Sequence, residues 1–80
     1  MTREDALMDL FEIVQLSFQN AMRKPDAARW KSCAQLAGVA STRMGFEGDL
    51  FRAAALEGVS VEARRQMLAI IAMEETSCSH

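Results

Sequence analysis

Tyrosine is absent from this 80-residue chain, and histidine and proline occur once each. The single histidine, His80, is the last residue, where an imidazole is not held within hydrogen-bond reach of a nucleophile. A histidine-based catalytic dyad is therefore not expected. Cysteine occurs twice, as Cys33 and Cys78, which is too few for a disulfide framework. The closing "CSH" offers one thiol and one imidazole to a metal, short of the ligand set of a zinc site. No segment alternates with a period of two, so there is no strand to precede a glycine-rich phosphate loop. Carboxylates such as Asp9 and Glu12 read as parts of a solvated helix face. No catalytic, cofactor-binding or metal-ligating residue and no small-molecule substrate is expected.

Long apolar runs are missing too. Charges interrupt every stretch well short of the roughly 18 apolar residues of a membrane span. The opening "MTREDALMD" places Glu4, Asp5 and Asp9 where a secretory signal carries basic residues and an apolar core. The expectation is a cytoplasmic protein without a membrane partner. Net charge is −2, so no global basic field draws the chain to nucleic acid.

Hydrophobic residues are abundant, at 50% of the sequence, and helix breakers are few. Pro25, Gly45, Gly48 and Gly58 cut the chain into four segments, with Gly38 falling inside a periodic run. In the first, Leu7, Leu10, Phe11, Val14, Phe18, Ala21 and Met22 recur at helical spacing. Thr2 can cap this helix and Arg23 and Lys24 close it, complementing its dipole. Pro25 suits the first turn of a second helix, on which Trp30, Cys33, Leu36, Ala37, Ala40 and Met44 share a face and Gly45 supplies the cap. Cys33, at that spacing, reads as a small buried hydrophobe. Asp49 caps a short third helix that ends at Gly58, and Ser60 caps a fourth, with Ala63, Met67, Ile70 and Ile71 on one face. The expected architecture is all-α, a compact four-helix bundle with a short third helix. It forms one domain over 1–75, followed by a frayed tail over 76–80.

"AALEGVSVEARRQML", Ala54 to Leu68, resembles the turn of a DNA-binding helix-turn-helix unit. A small Ala lies four residues before a Gly, and Val59, Ser60 and a basic segment follow. The resemblance breaks at Arg64, which occupies a position that is normally buried and apolar. Arg64, Arg65 and Gln66 would be the nucleic-acid contacts, but Glu57, Glu62, Glu74 and Glu75 surround them with charge of the same sign as phosphate. A second frame from Ala34 meets Gly45 before its helix could fill a groove. Around Trp30, Arg23, Lys24, Arg29 and Lys31 offer an anion or RNA contact with the indole as a stacking surface. The competing reading puts Trp30 in the core.

The hydrophobic excess is the stronger signal. Ile13 and Leu16 point away from the main stripe of the first helix, with Met8 on the other flank. Val61, Leu68 and Ala72 form a second apolar line beside Met67 and Ile71. A chain this short cannot hide both sets in one core. The expected function is therefore a non-catalytic protein-interaction module, such as a small regulator, inhibitor, antitoxin-like protein or chaperone. It would bind another protein or a second copy of itself, as a homodimer, through Met8, Ile13, Leu16, Val61 and Leu68. The alternative is a DNA-binding regulator that uses the helix-turn-helix-like unit at 50–72.

Overall fold

The computed structural model describes residues 3–78, with side-chain surroundings for 5–75. Three helices follow one another: α1 (Arg3–Arg23), α2 (Ala27–Phe46) and α3 (Leu50–Cys78). Helix α1 ends one residue before Lys24; Thr2, its expected cap, lies outside the described residues. Asp26, not Pro25, stands at the start of α2. Its extended backbone and its carboxylate, which accepts the Arg29 N–H at 2.8 Å, make it the N-cap, and Pro25 sits one position earlier.

Helix α2 runs past Gly45 to Phe46 and stops with a Schellman arrangement. Gly48 takes a positive φ of 86°, its N–H donates to the Gly45 carbonyl, and the Asp49 N–H donates to the Met44 carbonyl. The cap expected at Gly45 therefore lies three residues later, where the left-handed conformation is needed. Asp49 then turns from one helix to the next, its carboxylate accepting the Arg52 N–H at 3.1 Å. Three residues suffice to reverse the chain, which forces α2 and α3 into an antiparallel pair.

Two expected helices are one. Helix α3 continues through Gly58, Val59 and Ser60 without a turn, so the bundle has three helices and not four. Among the described residues Gly48 alone has a positive φ, so Gly58 keeps a helical backbone. The hydroxyl of Ser60, expected to cap a new helix, instead donates to the Ala34 carbonyl of α2 at 2.9 Å. Ser41 makes the reciprocal bond, donating from α2 to the Ala53 carbonyl of α3 at 2.7 Å. These bonds and the small residues between them hold the two long helices close. The helix-turn-helix-like unit at 50–72 is thus a continuous helix. Ala54, which would sit at a helix crossing in such a unit, is exposed. The second frame, from Ala34, likewise lies within unbroken α2.

The core has two parts. Val14, Ala37, Ala40, Met44 and Leu56 fill one, with Leu7, Leu10, Phe11 and Leu36 packed against it. Ala21, Trp30, Cys33, Ala34 and Ala63 form the other, flanked by Phe18, Met67 and Ile70. Phe18 meets Trp30 edge-on, with ring centroids 5.4 Å apart. Of the stripe read on the first helix, only Met22 turns out to be exposed. Helix α1 lies closer to α2 than to α3, which it meets through the side chains of Val14 against Leu56 and Ala21 against Ala63. The molecule is elongated, 54 × 19 × 13 Å, because α3 overruns the N-terminal end of α2. Helical backbone reaches Cys78, three residues into the segment expected to fray, and residues 79–80 lie outside the described residues.

Candidate protein-interaction surface

Small residues occupy the inside of this protein and large ones much of the outside. Among the described residues, five of the ten buried hydrophobic ones are alanines: Ala21, Ala34, Ala37, Ala40 and Ala63. Among the described residues eleven large hydrophobic side chains are exposed, more than the buried set contains. The cause is local. A close α2–α3 approach selects alanine, serine and glycine between the helices, so bulkier residues on other faces have no internal partner.

All five residues singled out from sequence, Met8, Ile13, Leu16, Val61 and Leu68, are exposed. They do not form one patch. Ile13 and Leu16 line an outer groove between α1 and α2 with Ser17, Asn20 and Arg29. Val61 lines a different groove, between α2 and α3, with Gly38, Thr42, Glu57 and Arg64. Leu68 lies two helical turns further along α3, close to the angular position of Val61. Met8 lies on α1 at the angular position of Gln15 and Gln19, away from Ile13 and Leu16.

Sequence reasoning missed a further cluster. Phe46, Leu50 and Phe51 flank the α2–α3 turn, and the two phenylalanines are 85% and 88% exposed. The signal lay in "GFEGDLF": aromatic residues bracket a turn where polar ones would suffice. A third groove runs between α1 and α3, lined by Phe11, Val14, Phe18, Leu56 and Val59 with Gln15 and Gln19 at its edge.

The residues considered for nucleic acid are dispersed. Arg65 and Gln66 both turn to Glu62, Arg65 with its Nε 3.7 Å from one carboxylate oxygen and Gln66 donating its amide to the other at 2.9 Å. Arg64 points elsewhere, into the groove beside Val61. Consecutive helical residues project about 100° apart, so these three do not share a reading face. Trp30 is buried, which removes the indole as a stacking platform for RNA. Its Nε1–H has no hydrogen-bond partner among the described residues. Arg29 is committed to the α1–α2 joint, donating to the Lys24 carbonyl and to the Asp26 carboxylate.

Cys33 is buried, and burial pushes its thiol above the ordinary range, with a hydrogen bond from Ser17 offsetting part of the rise. That thiol stays protonated at neutral pH and behaves as the small hydrophobe read from the sequence. No group of three or more His, Cys, Asp or Glu residues that could hold a metal occurs among the described residues, and His80 lies outside them. None of the described helices is long and apolar enough to cross a membrane. The chain matches no protein family, no curated protein and no solved structure.

Proposed function

We propose that this protein is a small non-catalytic interaction module that presents the outer faces of its helices to other polypeptide chains. The observation that carries this reading is the inversion of side-chain size. Alanine fills much of the interior, while Ile13, Leu16, Phe46, Leu50, Phe51, Val61 and Leu68 stand in solvent. Single exposed hydrophobic residues are ordinary, but grouped ones at a turn and along a helix mark contact surfaces. Burying one such side chain against a partner contributes about 1.5–3 kcal/mol. Several must be buried together to offset the translational and rotational cost of association.

The contact would be helix against helix, because every exposed group lies on or beside a helix. Regulators, inhibitors, antitoxin-like proteins and chaperones all work in this way. A DNA-binding role has less support, since its donors project in different directions and two of them face Glu62.

Leu16→Lys together with Leu68→Lys tests the proposal. The double variant should keep the far-ultraviolet circular dichroism and melting temperature of the parent. It should also lose the complexes that the tagged parent forms in extract of its native cells, read by size-exclusion chromatography. A parent chain that elutes at monomer mass in that extract contradicts the reading. Unfolding of the double variant would instead show that these side chains belong to the core.

A further inference from the structure

We infer that one of these surfaces, the face of α3 centred on Val61, pairs with the same face of a second copy, antiparallel and about a two-fold axis beside Val61. The inference rests on the interaction reading above and names its partner for this face. Along α3 the residues Leu50, Ala54, Glu57, Val61, Arg64, Leu68 and Ala72 recur every three or four positions and form one line. All seven are exposed, and the middle of the line, Glu57, Val61 and Arg64, borders the open groove between α3 and α2. Neither Glu57 nor Arg64 has an ion pair or side-chain hydrogen bond among the described residues, whereas Asp26, Asp49 and Glu62 each pair with an arginine three residues further along the chain.

Read in reverse, this line is its own complement. Large Leu50 corresponds to small Ala72, small Ala54 to large Leu68, and acidic Glu57 to basic Arg64, with Val61 at the centre. A two-fold contact demands this property, because residue i must suit residue j and j must suit i. With a rise of about 1.5 Å per residue, the axis beside Val61 sets Glu57 of one copy within roughly 2 Å, along the helix, of Arg64 of the other. Leu68 and Ala54 come level in the same way. A parallel pairing would bring Glu57 against Glu57 and Arg64 against Arg64, and like charges oppose it. Gly38 helps on the α2 side, since it adds no side chain to the groove that Val61 also lines. The contact is one helix wide, at the small end of specific interfaces, so association depends on concentration.

Charge exchange in the full-length chain tests this directly, with mass followed by sedimentation equilibrium across a concentration series. Wild type should dimerise. Glu57→Arg alone and Arg64→Glu alone should each weaken the dimer by at least roughly tenfold, because each sets like charges opposite one another. The chain carrying both changes should dimerise again, and an equimolar mixture of the two single variants should form a heterodimer. In a Cys78→Ser background, Val61→Cys should cross-link to a covalent dimer under mild oxidation. Leu68→Cys should not, because its two copies lie about 21 Å apart along the axis. A wild-type chain that stays monomeric overturns the inference. So does a dimer indifferent to the charge exchanges and to Val61→Cys; that result would place self-contact on another face and leave the interaction reading standing. Glu57, Val61, Arg64 and Leu68 are all exposed, so circular dichroism matching wild type is the control for folding.

Discussion

The hydroxyl of Ser60 lies 2.9 Å from the carbonyl oxygen of Ala34, joining the middle of α3 to α2 at the point where the sequence offers a break. The bond from Ser41 to Ala53 repeats the link in the opposite direction, seven residues along each helix. In a lone chain a serine after Gly-Val satisfies its own backbone and starts a helix. Alongside α2 the same hydroxyl finds a carbonyl on its neighbour, and α3 runs on.

Ser60→Ala should therefore destabilise the fold by about 0.5–1.5 kcal/mol, the net contribution of one hydrogen bond. The loss stays modest because the Ala34 carbonyl, inside α2, also has its helical N–H partner. Ser60→Leu should cost more, since Ser60 is buried and the position of a Gly38 Cβ lies 3.6 Å from its Oγ. Urea midpoints of the two variants measure both.

Gly58 and Gly48 should respond to alanine with opposite signs. Gly58 has a helical backbone and open space where a Cβ would stand, so Gly58→Ala should stabilise by about 0.5–1 kcal/mol. Gly48 has a φ of 86°, and Gly48→Ala should destabilise by about 1 kcal/mol or more. Thermal melts of the two variants decide the matter. Destabilisation by Gly58→Ala would indicate a turn at that point.

Leu56→Ala should be among the most damaging single changes. Leu56 is fully buried in a cluster with Val14, Ala37, Ala40 and Met44, so its truncation opens a cavity in the core. A loss of about 2–5 kcal/mol is expected from denaturant titration. Removing Leu68, on the outer face, should cost less than about 1 kcal/mol in a monomer.

Cys33 makes stability depend on alkaline pH. Its thiol is raised in the folded state, while the unfolded thiol ionises at its ordinary value. The unfolded chain thus loses its proton first, so the contribution of Cys33 is complete below the ordinary thiol range and falls as pH rises through it. Urea midpoints should decline from neutral to alkaline pH, and part of that decline should vanish in Cys33→Ala. Alkylation of Cys33 should be slow at neutral pH and should accelerate in denaturant.

Much of this fold was legible in the sequence, and the reasons for the rest are physical. The main stripes of α1 and α2 follow from hydrophobic periodicity, and the Asp49 cap from its place before an apolar run. The joint at Gly58 was misread because "GVS" supplies equally good stop and start signals. What decides between them is the neighbouring helix, which local sequence does not contain. The exposure of Met8, Ile13, Leu16, Val61 and Leu68 could be read because each lies off its helix's main stripe. Phe46, Leu50 and Phe51 escaped because they sit at the ends of two helices, where stripes are too short to define a face.

Site-specific photo-crosslinking in the native cell tests the central claim most directly. A photoreactive amino acid at Leu16, Phe51 or Leu68 probes three exposed positions without disturbing the core. The interaction reading predicts adducts of defined mass from at least one position, to a second copy or to another protein, and far fewer from a control at the exposed polar Gln35. Illumination that yields no protein adduct from any of the three, or equal adducts from the control, would contradict it.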